Sequence, residues 1–271
     1  MSSIICPLCR ELLVREPRRW FCAQGHSFDV AREGYVNLLP AQHRNSREPG
    51  DTSESLKARR AFLEAGHYSA LREALLRQAA SQAPLQTVLD VGCGEGWYTS
   101  ALAGIAQEVI GLDIAKPAIQ LAARRYPGLT WIVGSGALLP VADAAVDLAV
   151  SAFSQIHVAE LCRVLRAGGH LLVATPAPDH LYALREGLFE EVRPHQPDKF
   201  LPGLEAGFEL RERIEVRVPL ALDNAGLRQL VLMTPYAWKA KPERRAAVEA
   251  LDALETQAAF SLLCLRRKAA G

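Results

Sequence analysis

The segment Asp90-Val91-Gly92-Cys93-Gly94-Glu95-Gly96 constrains the fold of this 271-residue chain more than any other. It stands between a short apolar run, 85–90, and an amphipathic stretch, 97–106. Its glycines supply a sharp turn and let a ligand come close to the backbone. Further strand-length apolar runs follow at 109–113, 129–133, 146–151 and 171–175, with helical stretches at 116–126 and 156–165. This alternation predicts an α/β chain, a parallel sheet with helices on both faces. Runs 210–218 and 260–266 read as a closing hairpin-like pair. Upstream, residues 36–60 read as a connector, with a helix beginning after Asp51 and capped by Asp51 or Thr52. A second helix follows Gly66-His67-Tyr68 and runs to about residue 82.

The loop's own chemistry points to its ligand. Asp113 ends the next apolar run about twenty residues on, where a carboxylate can hold a ribose hydroxyl pair. A dinucleotide fingerprint would space its glycines G-x-G-x-x-G and set a pyrophosphate on the helix N-terminus. Here the spacing is G-x-G-x-G, Asp90 precedes the loop and Glu95 lies inside it. Carboxylates there repel a pyrophosphate and suit the ammonium and sulfonium of S-adenosylmethionine. A nicotinamide site and a turn without ligand are the alternatives. With Val133-Gly-Ser-Gly136 after the third run and Arg163-Val-Leu-Arg-Ala-Gly-Gly169 before the fifth, residues 84–176 resemble the class I methyltransferases. That resemblance implies a Rossmann-like, seven-stranded sheet whose last strand is antiparallel.

A second constellation precedes the sheet. Cys6, Cys9, Cys22 and His26 form the pattern C-x2-C-x12-C-x3-H. Zinc takes four such ligands in a tetrahedron, and a filled Cys3His set leaves no open position, so the metal is expected to be structural. Three buried thiols and a chance histidine are the alternative. Cys93, Cys162 and Cys264 read as core thiols. Length gives a prior of about two domains: a zinc-binding module over 1–45 and a catalytic domain over 46–271.

The formal net charge of +1 conceals an asymmetry. Residues 1–60 hold ten Lys and Arg against seven Asp and Glu, a net of +3, and the remainder carries −2. The basic residues there include Arg15, Arg18, Arg19, Arg32, Arg44, Arg47, Lys57, Arg59 and Arg60, with His43 among them. Such local charge favours phosphate. Trp20 and Phe21 could stack on unpaired bases or form the module's core. No apolar run approaches the about 18 residues of a membrane span, and the first residues lack a basic region followed by an apolar one. A cytoplasmic protein is therefore expected.

Cys6-Pro-Leu-Cys9, Glu33-Gly-Tyr-Val-Asn-Leu-Leu-Pro40, Pro49-Gly-Asp51, Ala58-Arg-Arg-Ala-Phe-Leu63, Gly66-His-Tyr68, the loop itself, Thr175-Pro-Ala-Pro-Asp-His-Leu181 and Met233-Thr-Pro-Tyr-Ala-Trp238 together resemble the RlmA family. These are bacterial 23S rRNA (guanine-N1)-methyltransferases. The resemblance implies methyl transfer from S-adenosylmethionine to a guanine in a 23S rRNA hairpin, with the zinc module recognising rRNA, in a homodimer. It implies Cys6, Cys9, Cys22 and His26 as zinc ligands. By the same resemblance Tyr68, Gly94, Glu95, Asp113 and His180 match cofactor-contacting positions, and Asp90, Gly92 and Gly96 complete the loop. The general base is not assigned. Two other readings are a small-molecule, quinone-type methyltransferase and a zinc-ribbon RNA-binding protein with a degenerate methyltransferase domain. The segment Ser151-Ala-Phe-Ser-Gln-Ile156 departs from the familiar pattern and borders the expected substrate pocket.

Overall fold

The structure is a computed structural model that describes residues 3–40 and 52–269. Three short strands, β1 (Val14–Arg15), β2 (Arg19–Phe21) and β3 (Ser27–Asp29), form a small antiparallel ribbon. The other eight, β4 (Tyr35–Asn37), β5 (Leu85–Val91), β6 (Ala106–Asp113), β7 (Thr130–Val133), β8 (Val146–Ala152), β9 (Leu165–Pro176), β10 (Phe208–Asp223) and β11 (Ala253–Arg267), build one sheet. Its order is β10-β11-β9-β8-β5-β6-β7-β4. β5 to β9 pair in parallel, and β11 runs antiparallel between β9 and β10. The α/β expectation and the closing pair are therefore observed.

The strand count differs from the expected seven. Tyr35–Asn37, at the start of the expected connector, pairs in parallel with Trp131–Val133 and makes an eighth strand. Leu38 continues the edge by donating its N–H to Val133 O at 2.9 Å. The cause is burial: Tyr35, Val36, Leu38 and Leu39 are all buried there. Residues 41–51, with His43, Arg44, Arg47, Asp51 and the expected boundary at 45, lie outside the described residues. Beyond them the helix Ser53–Glu64 begins where expected, and Thr52 Oγ1 caps it by accepting the Ser55 N–H at 3.1 Å.

The expected helix over 97–106 is instead one 3-10 turn, Thr99–Leu102. Gly96 and Gly104 are both left-handed, with φ of +79° and +86°, so little chain remains between two non-helical ends. β6 takes up the released residues and starts at Ala106.

Strand alternation sends successive side chains to opposite faces. Leu85, Val88, Leu148, Val150, Leu172, Ala174, Leu262 and Cys264 join a core with the helices Ser53–Glu64, Ser69–Ala80 and Asn224–Met233. Leu89, Val91, Ile110, Ala149, Leu171, Val173 and Leu263 face the other way. There Ile4, Cys6, Leu13, Trp20 and Cys22 of the N-terminal segment pack into the same core as the sheet. Ile4 bridges Val141, and Ala142 N–H donates to Ser3 O at 2.8 Å. Arg15 and Glu108 pair at 2.5 Å, and Ser3 Oγ donates to the other Glu108 oxygen at 3.1 Å. The metal-binding module is thus a cover for one face of the sheet.

Candidate functional site

Two turns aim the cysteines of the ribbon at each other. After Cys6 the chain reverses through Arg10, whose φ is +65°, and Arg10 N–H donates to Cys6 O at 2.9 Å. The second turn closes through Gly25, with φ of +83°, whose N–H reaches Cys22 O at 3.0 Å. The ligand atoms of Cys6, Cys9, Cys22 and His26 all lie within 4.8 Å of one another. Individual edges are 3.5 Å for Cys9 Sγ to Cys22 Sγ, 3.6 Å for Cys6 Sγ to His26 Nδ1 and 3.4 Å for Cys22 Sγ to His26 Nδ1. A tetrahedron with zinc–sulfur bonds of about 2.3 Å and zinc–nitrogen bonds of about 2.0–2.1 Å has edges of about 3.5–3.8 Å. Four residues at these separations fit one zinc ion.

The glycine loop leaves β5 at the C-terminal end of the sheet, where open α/β sheets bind ligands. Gly92, Gly94 and Gly96 all have positive φ. A Cβ on Gly92 would strike Ser154, and one on Gly96 would strike Trp131, so both positions require glycine for space as well as conformation. Asp113 organises the turn: its Oδ2 accepts the Gly94 N–H and its Oδ1 the Ala115 N–H, each at 2.8 Å. Glu95 is buried, and the Arg59 guanidinium stands 3.8 Å from its Oε2.

Asp90 is 1% exposed, and its Oδ2 accepts from Thr99 Oγ1 at 2.6 Å. Its Oδ1 has no hydrogen-bond partner among the described residues, and neither does the buried hydroxyl of Tyr98. Burial, with the Asp113 charge adding, pushes the Asp90 carboxyl up to about 7. Burial and the Glu95 and Asp90 carboxylates push the Tyr98 phenol upward too. Buried polar atoms are seldom left without partners. An acceptor and a hydroxyl, both orphaned beside a cluster of acids, fit a cationic, hydroxylated ligand such as S-adenosylmethionine. The Cys93 thiol, buried beside the same acids, is held well above the usual thiol range and stays protonated.

Tyr68 and His180 come from two other segments, the start of the helix Ser69–Ala80 and the stretch after β9. Both are buried and both pack on Phe260, each with ring centroids 4.8 Å away. His180 Nδ1 is clasped by Ala259, 2.9 Å from its O and 3.2 Å from its N. Burial, with His195 adding, lowers His180 to about 3, so the ring is neutral. Arg185, itself buried, holds this segment through Arg193 O and through His180 O at 3.1 Å. Phe260 also meets Phe153 at 5.6 Å, and Phe153 meets Tyr98 at 6.2 Å. One row of rings thereby connects Tyr68 and His180 to the glycine loop.

Tyr98, Thr99 and Phe153 were not singled out from the sequence. Tyr98 sits two residues past the loop, and the apolar texture of 97–106 masks its hydroxyl. Phe153 lies in the unfamiliar 151–156 segment, the one signal available for it. Trp20 is 9% exposed in the core and carries the Arg15 guanidinium 4.8 Å over its ring, which removes it as a base-stacking surface. Arg15 and Arg59 of the basic set are likewise turned inward, to Glu108 and Glu95. Arg18, Arg32 and Lys57 are exposed. No helix among the described residues is long and apolar enough to cross a membrane.

Comparisons with known proteins match both of these regions. The family profile described as RlmA, N-terminal matches residues 4–47, and the one described as a methyltransferase domain matches 89–173. A 23S rRNA (guanine(748)-N(1))-methyltransferase of Streptomyces fradiae is 36% identical, over 89% of this chain and 88% of its own length. A candidate 23S rRNA (guanine-N(1)-)-methyltransferase of Micromonospora griseorubida is 36% identical, over 91% of this chain and 90% of its own. A candidate methyltransferase of Bacillus halodurans C-125, solved as a crystal structure, superposes with a TM-score of 0.54 at 22% identity. It covers 72% of this chain and 98% of its own, and bears on the fold alone.

Proposed function

This chain belongs to the RlmA family of 23S rRNA (guanine-N1)-methyltransferases, and we propose that it methylates N1 of a guanine in a 23S rRNA hairpin. The fold is that of the class I methyltransferases with a small N-terminal zinc-binding module. One observation carries the reading: a Cys3His cluster and an acidic glycine loop lie on a chain 36% identical to a 23S rRNA guanine-N1 methyltransferase over 89% of its length. A quinone-type enzyme has no use for the cluster. A degenerate domain has no reason to keep Asp90, Glu95 and Asp113 around three left-handed glycines.

S-adenosylmethionine supplies a methyl group already activated by its sulfonium. The chain's part is to bind and orient, which is where the rate gain of such a displacement comes from. In this proposal Asp90, Glu95 and Tyr68 line the amino-acid end of the cofactor, and Gly92, Gly94 and Gly96 let it approach the backbone. Asp113 receives the ribose hydroxyls. Its two oxygens, fixed by the Gly94 and Ala115 amides, are held at the end of β6 beside the loop. His180, neutral and clasped by Ala259, closes the far wall. The zinc ion holds the fold and has no catalytic role, because four protein ligands fill it.

We further propose that residues 1–45 recognise rRNA, that 46–271 form the catalytic domain, and that the active form is a cytoplasmic homodimer. Exposed Arg18 and Arg32 in the ribbon segment support the first point. Mass mapping of 23S rRNA from a deletion strain tests the function. One guanine is expected to lose its methyl group, with restoration by the intact gene. Unchanged rRNA alongside tight S-adenosylmethionine binding would point to the small-molecule reading. No cofactor binding would point to the non-enzyme reading. Light scattering of the purified protein tests the dimer.

A further inference from the structure

Phe153 is held in a conformation that folding alone does not reward. It follows β8 at the C-terminal end of the sheet with φ of +60°, a left-handed backbone that a bulky residue rarely adopts. The residue is nevertheless 43% exposed, so burial gives little in return. The neighbours force the geometry. Phe153 N–H donates to Ala174 O at 2.9 Å, and Ser154 Oγ donates to Val91 O at 2.6 Å. Ser151 Oγ and Ser154 Oγ share a bond of 2.7 Å, and Ser154 occupies the space that a side chain at Gly92 would need. The turn is therefore bolted to the glycine loop, and strain maintained in this way marks functional positions. The ring leans on Phe260 and on Tyr98, whose buried hydroxyl has no hydrogen-bond partner among the described residues.

We propose that Phe153 is the surface on which the target base stacks once it has left the RNA helix. This inference rests on the rRNA reading above. Phe153 presents a flat apolar face beside the cofactor loop, on a segment too rigid to swing away. A base that must leave its stack for modification loses neighbours that an aromatic ring replaces. Every base has such a face, so Phe153 positions the guanine and does not select it.

The test uses the full chain with Phe153→Ala, Phe153→Leu and Phe153→Trp, deletion-strain 23S rRNA as substrate, and S-adenosylmethionine binding by calorimetry. Phe153→Ala and Phe153→Leu are expected to lose about 10-fold or more in kcat/KM for rRNA while cofactor affinity and melting temperature hold. Phe153→Trp is expected to retain activity. The leucine variant separates a flat ring from mere apolar bulk. Activity of Phe153→Ala within twofold of wild type overturns the proposal, and so does a parallel loss of cofactor affinity, which would make Phe153 part of the cofactor pocket. Wild-type protein inactive on rRNA would sink both this proposal and the functional reading, whereas active wild type with an unaffected Phe153→Ala sinks this one alone.

Discussion

Asp90 shows how a single residue's setting decides its chemistry. Its carboxyl is buried, half-partnered by Thr99 and pushed up to about 7. Between the ordinary carboxylate range and 7 the folded protein binds more protons here than the unfolded chain, so this group's contribution to stability falls as pH rises through that window. Cofactor binding runs the other way, because a cation needs the ionised form. S-adenosylmethionine affinity is expected to drop about tenfold per pH unit below 7. Asp90→Asn should weaken binding at pH 8 and flatten that slope, both readable by calorimetry. The acid itself was legible because strand, glycine turn and Asp113 are local pattern. Its protonation was not, since that depends on Thr99 and on what the sheet excludes. Phe153 is the harder case: no composition or period encodes a positive φ that Ser154, Ala174 and Gly92 impose from three separate segments.

At the scale of elements, the ribbon and β4 matter most. The knuckle spacing announced a metal site, and two left-handed turns deliver it. The ribbon's small strands have almost no core of their own, yet Ile4, Leu13 and Trp20 are buried against the sheet. Removing the zinc with a chelator should therefore release more than a tail. Hydrogen exchange is expected to quicken through β1, β2 and β3 and at Ile5, whose N–H is bound to Pro140 O. β5 and β8, at the sheet centre, should stay protected. Loss of protection confined to residues 6–26 would contradict the shared core. The shortened 3-10 turn after the loop was misread as a helix because apolar periodicity carries no information about two glycines turning left-handed at its ends.

For the whole molecule, the division into a head and a body changes meaning. A separable head would leave a stable sheet when deleted. Here removing residues 1–40 takes away the edge strand β4 and uncovers Leu89, Val91, Ile110, Ile132 and Val141. An exposed apolar face of that kind drives aggregation. The truncated protein is expected to be insoluble, or to melt well below the intact chain, when expression and thermal unfolding are compared. A soluble truncation with unchanged melting would show that the ribbon is dispensable to the fold.

The amino-acid sequence by itself determined the α/β class, the cofactor loop with its three acids, the Cys3His spacing and the family. Each of these is written in neighbouring residues or in short fixed intervals, which survive without knowledge of distant contacts. Tertiary structure alone decided that the ribbon is a lid on the sheet and that Tyr35–Asn37 is an eighth strand. It also turned Arg15 and Arg59 inward and set Phe153 strained and exposed beside the glycine loop. The reason is physical: strand partners, ion pairs and forced backbone angles are chosen by which surfaces meet after the chain has crossed the sheet, and residues far apart in sequence make that choice together.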